Sequence, residues 1–341
     1  MTARLVLPWA LPNPGEADQA AIQQFRDPLR VIMKKFLPPN SRGLIGRNAV
    51  WGEMFSPRFQ MGAGQSLRIA LALYDIKSAA AAYRALEAGT QSIHADGYVT
   101  ARLPARMRGG KPLSERDVSR AAAFYLSDAC TALLALENHH RANQVAPFKR
   151  RAKVMEAMRR ALNWLMAGRG TLLQADDRAP NRLLIDALAF HACGELNQHT
   201  AAVDTAGMFV KRALALWRKG YFVEKSGWDT SYQAVAVHAA NTLLASGYRD
   251  SRLAVIVYHS ANWLSMRIDK QGRVNSKGNT RTCGGGESFL GRTKKLAVHE
   301  VFLALSYTAT REHDEVMADA AQRLYTWAGR HRKSDPCFEF E

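Results

Sequence analysis

The sequence predicts an all-α fold of repeated helical hairpins, arranged as a toroid or incomplete barrel, and three observations point to it. Ala- and Leu-rich runs, which favour helix over strand, carry much of the apolar content. An apolar run, a Gly-punctuated loop and a second apolar run recur in that order along the chain. With 341 residues and 47% hydrophobic content the chain can bury a large core, and no low-complexity linker divides it. The expected organisation is one domain over residues 1–341, opened by an irregular segment of about 60 residues.

Taken in order, helical periodicity runs over Ser66 to Ala88, Val118 to Leu136, Phe148 to Met166, Leu183 to Leu196, Thr205 to Arg218, Tyr232 to Ala245, Leu253 to Arg267, Ala297 to Thr310 and Asp314 to Trp327. Between them lie the repeated loops. Ala85-Leu86 leads into Ile93-His94-Ala95-Asp96-Gly97-Tyr98-Val99, and Ala161-Leu162-Asn163-Trp164-Leu165 into Gly170-Thr171-Leu172-Leu173. Ala213-Leu214-Ala215-Leu216-Trp217 precedes Gly220-Tyr221-Phe222, and Ala261-Asn262-Trp263-Leu264 precedes Gly272-Arg273-Val274. The later copies are spaced by roughly 50 residues, enough for two ordinary helices and their connections. Short strand-like pieces such as Gly97 to Leu103 are expected to line loops.

The loop from Gly220 to Gln233 is chemically the richest, because it sets Tyr221, Phe222, Trp228 and Tyr232 beside Glu224 and Asp229. A connector that only turned the chain would need Gly, Asn or Ser, whereas these aromatics suit stacking on sugar rings. They equally suit completing a core. The segment Asn275 to Glu287 is long, polar and Gly-rich, reads as a binding loop or a surface excursion, and lacks the ending of a phosphate loop. Leu103 to Pro112 is a basic lid or a solvated connector. Trp51, Glu53, Arg58 and Gln60 are placed to line one end of a cleft or to sit on the surface.

Lys and Arg number 47 against 30 Asp and Glu, a formal charge of +17, so an anionic partner is favoured. No zinc-finger spacing, RNA-binding aromatic signature or basic heptad region accompanies the charge, and nucleic acid is not expected. An acidic polysaccharide fits both the charge and the aromatic loops. The first twelve residues make a poor signal peptide; an exported protein, periplasmic or secreted, whose signal is missing from this sequence would look the same, and a cytoplasmic home stays open. No apolar run is long enough for a membrane span. Cys130, Cys193, Cys283 and Cys337 are widely scattered, without metal-site spacing, so buried free thiols are expected, with a disulfide open if the protein is exported. Cys283, beside three glycines, has no helix start or paired His to make it a nucleophile. No metal and no cofactor is expected, and the chain is expected to be a monomer.

Asn181, in Ala179-Pro180-Asn181-Arg182-Leu183, and the Gly-Trp-Asp-Thr-Ser-Tyr loop that follows resemble the (α/α) toroid polysaccharide lyases, such as the alginate, heparin and chondroitin lyase families. The likeness covers roughly Ala85 to Ala309 as architecture and a few positions as motif; Arg182 stands where several of those lyases carry His. The resemblance implies β-elimination from a uronate, with Tyr232 as catalytic base and acid and Asn181 as neutraliser of the substrate carboxylate. Arg182, Arg281 and Arg292 would add charge-assisted bonds in a water-poor cleft. A phenol titrates near 10, so Tyr232 as a base needs neighbouring cations to depress it.

His238, six residues after Tyr232, is a candidate helper, although a satisfied core histidine is the ordinary reading of both His238 and His191. His94 and Tyr98, on a loop, join Tyr221, Glu224, Trp228, Asp229, Gln233, Glu287 and Arg292 as candidate substrate contacts, and His299 has similar standing to His94. Two other classes remain open. A glycoside hydrolase of the same architecture would draw its acid and base from Glu224, Asp229 and Glu287. A non-catalytic binder of anionic glycan would use the charge alone.

Overall fold

The computed structural model describes residues 20, 22–108, 113–224, 227–283, 286–289, 292–331 and 337–339. The poor signal-peptide match, the end of the 103–112 connector and Gly284-Gly285 lie outside them. Among the described residues the chain is mostly helical, with three two-stranded pairs of two residues each. The irregular start predicted for the first sixty residues contains helices Arg26–Phe36 and Gly46–Trp51 and a 3-10 turn at Pro57–Gln60. By compactness the chain divides into two units. One takes Met1–Ala175, Ile185–Met208 and Ala245–Gly247; the other takes Asp176–Leu184, Phe209–Leu244 and Tyr248–Glu341.

In the first unit, helix Glu115–Glu137 is buried on every side from Val118 to Leu136, the behaviour of a helix apolar all round. Ser114 caps it, its Oγ accepting from Asp117 N at 3.2 Å. Helix Ala63–Ala72 packs on it and on helix Ile76–Gly89. Asp128, inside the central helix, accepts from the backbone N of Gly62, Gly64 and Gln65, each at 2.8 Å, and so holds the start of the 63–72 helix. The run expected as one helix from Ser66 to Ala88 is broken. Tyr74 takes φ 55, and Asp75 restarts the chain by accepting from Ser78 N at 3.0 Å.

The predicted repeat has a physical basis in how its turns are seated. Ile93 and Val99 pair across a tight turn whose Gly97 has φ +87; a Cβ there would stand 2.1 Å from the carbonyl oxygen of Arg160 and 3.3 Å from Cβ of Trp164, on helix Phe148–Ala167. In the second unit Ile268 pairs with Val274 around Gly272, at φ +90, whose Cβ would lie 2.1 Å from the Arg323 carbonyl and 3.0 Å from Cβ of Trp327. Gly220 sits more loosely over His259 and Trp263, at 4.0 and 3.8 Å. In each case a turn glycine rests on a helix carbonyl four residues ahead of a tryptophan. The copy expected at Gly170 departs from this: it forms helix Arg169–Asp176, with open space around the glycine.

The second unit pairs helix Val298–Glu312, buried from Val301 to Ala309, with the one-sided helices Ser251–Ser265 and Glu315–His331. Helix Thr230–Ala245 is buried over most of its circumference, polar Gln233, Asn241 and Thr242 included. The helix expected to reach Arg218 ends at Ala215, because Trp217–Arg218 turns back through Lys219 (φ 50) and Gly220 (φ 92) to pair with Tyr221–Phe222.

All four cysteines are oxidised, as Cys130–Cys193 in the first unit and Cys283–Cys337 in the second. This corrects the expectation of free thiols and removes Cys283 as a nucleophile. The partners are 63 and 54 residues apart in sequence, a separation from which no pairing can be read.

Candidate active site

The chemistry-bearing side chains of the second unit converge on Arg281. Its Nε donates to Glu287 Oε2 and its Nη2 to Glu287 Oε1, both at 2.6 Å, while Nη1 bonds Glu224 Oε1. The same guanidinium lies 4.0 Å above the Tyr232 ring. The Tyr232 hydroxyl donates to Glu287 Oε2 at 3.0 Å and receives Lys294 Nζ, which also reaches Glu287 Oε1 at 3.1 Å. Five groups thus share one network, and Arg182 acts electrostatically on both Glu224 and Lys294.

Asp229 explains why the loop holds this shape. It is buried, its Oδ1 accepts from Ser231 N at 3.1 Å and Tyr232 N at 3.2 Å, and it thereby starts the 230–245 helix. Its Oδ2 takes Arg281 N at 2.9 Å and Thr282 N at 2.7 Å, and Thr282 Oγ1 adds a bond at 3.0 Å. Asn279 continues the clamp, with Oδ1 accepting from Thr230 N at 3.1 Å and Thr230 Oγ1 at 2.8 Å. One carboxylate and one amide therefore tie the helix that carries Tyr232 to the loop that carries Arg281. The expectation that Asp229 contacts substrate or serves as an acid is corrected: its oxygens are occupied by the fold.

The electrostatics sort the remaining groups. Burial raises the Glu224 carboxyl, against the pull of Arg281 and Arg182, and its Oε2 is buried without a partner among the described residues. Burial also raises Glu287, but bonds from Arg281 and Lys294 outweigh it and hold the group at about 2. Tyr232 was expected to be depressed by cations. Instead burial, helped by Glu287, outweighs Arg281 and pushes the phenol above its ordinary value, so it keeps its proton. Lys294 moves the other way, lowered by burial and by repulsion from Arg281 and Arg182 against the pull of Glu287. Arg281 is corrected too: every nitrogen of its guanidinium serves Glu224 or Glu287, which leaves it as the organiser of two carboxylates, not the neutraliser of a third.

Asn181, at the start of helix Pro180–Leu196, is 5% exposed, and its Oδ1 is buried without a partner among the described residues. Arg182 pairs with Asp176 at 3.2 Å and keeps part of its side chain in solvent. Tyr221, Trp228 and Trp263 form an aromatic cluster, with centroids 5.6 to 6.4 Å apart, and Arg267 lies 4.7 Å over the Trp263 ring. Gln233 is buried and pins the hairpin, its Oε1 accepting from Phe222 N at 2.9 Å. That bond gives it a structural use in place of the substrate contact expected.

His238 faces Glu300, with Nδ1 2.8 Å from Oε2, and Glu300 is also 3.6 Å from His299. His191 is a core histidine of the first unit, against the Ser246 carbonyl at 3.2 Å and lowered by burial. His94 and Tyr98 also belong to the first unit, where His94 meets Thr100 Oγ1 at 2.5 Å and Tyr98 stands edge-on to Trp164. Arg292 lies in a strand paired with Ser288–Phe289, and its side chain is outside the described ones.

Sequence reasoning gave no role to Lys294 or Asn279. For Lys294 the only local signal was its place in a basic stretch just after the long polar loop. Among the described residues no group of three His, Cys, Asp or Glu is placed to hold a metal ion, and no helix is long and apolar enough to cross a membrane. Comparison of the chain with protein-family models, with curated proteins and with solved structures finds no match in any of the three.

Proposed function

We propose that the chain is a polysaccharide lyase that cleaves an acidic, uronate-containing polysaccharide by β-elimination. The observation that carries this reading is the Tyr232–Lys294 contact within the Arg281–Glu287 network: a phenol raised by burial touches an amine that burial lowers against the pull of Glu287. Elimination needs such a pair, because one group must take the proton α to the carboxylate while another protonates the departing oxygen. Asn181 and Arg182, with the charge of +17, supply the means to bind and neutralise the uronate. The Tyr221–Trp228–Trp263 cluster offers faces on which sugar rings stack. The recurring turn-on-helix packing supports helical hairpins that close into a toroid. Two disulfides favour an oxidising compartment, periplasmic or extracellular.

A second reading draws on a different observation. Glu224 is raised and Glu287 lowered by their surroundings, and two carboxyls driven apart in this way suit the acid and base of a glycoside hydrolase. Product analysis separates the two. Purified protein incubated with alginate, polygalacturonate, hyaluronan and chondroitin sulfate should give unsaturated products absorbing in the near ultraviolet. New reducing ends without that absorbance would replace the lyase reading with the hydrolase one.

A further inference from the structure

We propose that Lys294, not Tyr232, is the base of the reaction, with Tyr232 as the acid and Glu287 holding the two in register. The inference rests on the lyase reading and names who moves each proton within it. Lys294 Nζ contacts both the Tyr232 hydroxyl and Glu287 Oε1, and Tyr232 donates to Glu287 Oε2. One carboxylate, itself clamped by Arg281 through both oxygens, therefore fixes amine and phenol side by side.

The chemistry closes on itself. The neutral amine takes the proton from the carbon α to the uronate carboxylate, and the electron pair of that C–H bond becomes the new carbon–carbon double bond. The bond from the neighbouring carbon to the glycosidic oxygen breaks, and the leaving oxygen receives the phenol proton. The ammonium then passes its proton to the phenolate across their existing contact. Both side chains return to their starting states, and the products are an unsaturated uronate end and a free hydroxyl.

The directions of the ionisations agree with these roles. Burial, with the charges of Arg281 and Arg182, lowers Lys294 against the pull of Glu287, while burial and Glu287 raise Tyr232 against the pull of Arg281. A tyrosine acting as base would need the reverse.

The test uses the full chain and the same four polymers. Lys294→Arg keeps a cation but has no accessible neutral form, and it should lower kcat at least a hundredfold with little change in KM. Lys294→Ala should fall as far and regain turnover when ethylamine is added, and wild-type kcat/KM should decline as pH falls, through an ionisation absent from the alanine variant. Melting curves separate these effects from unfolding. An arginine variant within threefold of wild type, or a folded alanine variant that ethylamine does not restore, overturns the assignment of Lys294 while leaving the lyase reading intact. Wild-type protein that yields no unsaturated product from any of the polymers overturns the lyase reading itself, and Lys294 falls with it.

Discussion

Arg281 grips Glu287 through two parallel bonds of 2.6 Å and, with its remaining nitrogen, bonds the buried carboxyl of Glu224. Removing one partner of a buried ionic set leaves the others uncompensated, at a cost of about 3–5 kcal/mol. Arg281→Met should therefore destabilise by that order in chemical denaturation. Arg281→Lys should rescue little, because an ammonium cannot hold a carboxylate through two fixed parallel bonds while reaching a second. Near-normal stability of the methionine variant would show that the network contributes nothing to the fold.

Acid should reach Glu287 late and at a cost to the fold. Its folded value of about 2 lies below the ordinary 4.5. A depressed carboxyl contributes stability that is present above the unfolded value and lost as pH falls through the folded one. Melting temperature should thus drop between about pH 4.5 and 2 in wild type, and Glu287→Gln should show a shallower drop over that window. Parallel curves for the two proteins would mean that Glu287 is not depressed.

The turn glycines make a comparison with its own control. At Gly97 and Gly272 a Cβ would fall 2.1 Å from a helix carbonyl oxygen, at φ +87 and +90. The backbone region alone disfavours an L side chain by about 1–2 kcal/mol, and displacing a helix carbonyl adds to that. Gly97→Ala and Gly272→Ala should each destabilise by about 2 kcal/mol or more, whereas Gly170→Ala, in a helix with open space around it, should be neutral or stabilising by up to about 1 kcal/mol. Equal effects at all three positions would remove the seating of turns on helices as the basis of the repeat.

These same glycines show what could be read from the chain and what could not. Helices were legible because Val118 to Leu136 and Val301 to Ala309 are apolar over many turns, and propensity agrees with burial there. The recurrence of Gly97, Gly220 and Gly272 was visible, but its cause was not, since the carbonyls of Arg160 and Arg323 belong to helices dozens of residues further on. The break at Tyr74 was missed because a left-handed tyrosine leaves no mark in the periodicity. In the site, the aromatic and acidic loop around Tyr232 stood out as composition. That Asp229 also clamps the backbone of Arg281, that Arg281 reaches Glu224, and that Lys294 meets Tyr232 depend on contacts across 52 to 62 residues of sequence, which no local pattern encodes.

The two disulfides should separate stability from turnover. They close loops of similar length, 63 and 54 residues, so the chain-entropy argument gives each a comparable contribution of about 4 kcal/mol at most. Their surroundings differ. Cys130 and Cys193 are both fully buried in the first unit, while Cys283 follows Arg281 by two residues and precedes Glu287 by four. Its partner Cys337 enters a strand that pairs Phe338 with Leu296, two residues beyond Lys294. Replacing Cys283 and Cys337 together by Ala should thus loosen the loop and the strand that set Arg281, Glu287 and Lys294 against Tyr232. We expect turnover of an acidic polysaccharide to fall at least tenfold at temperatures where the protein remains folded. The Cys130→Ala, Cys193→Ala protein should lose a similar amount of stability and keep its turnover below its melting temperature. Equal loss of turnover in both double variants, measured well below their melting points, would detach the Cys283–Cys337 bridge from the chemistry.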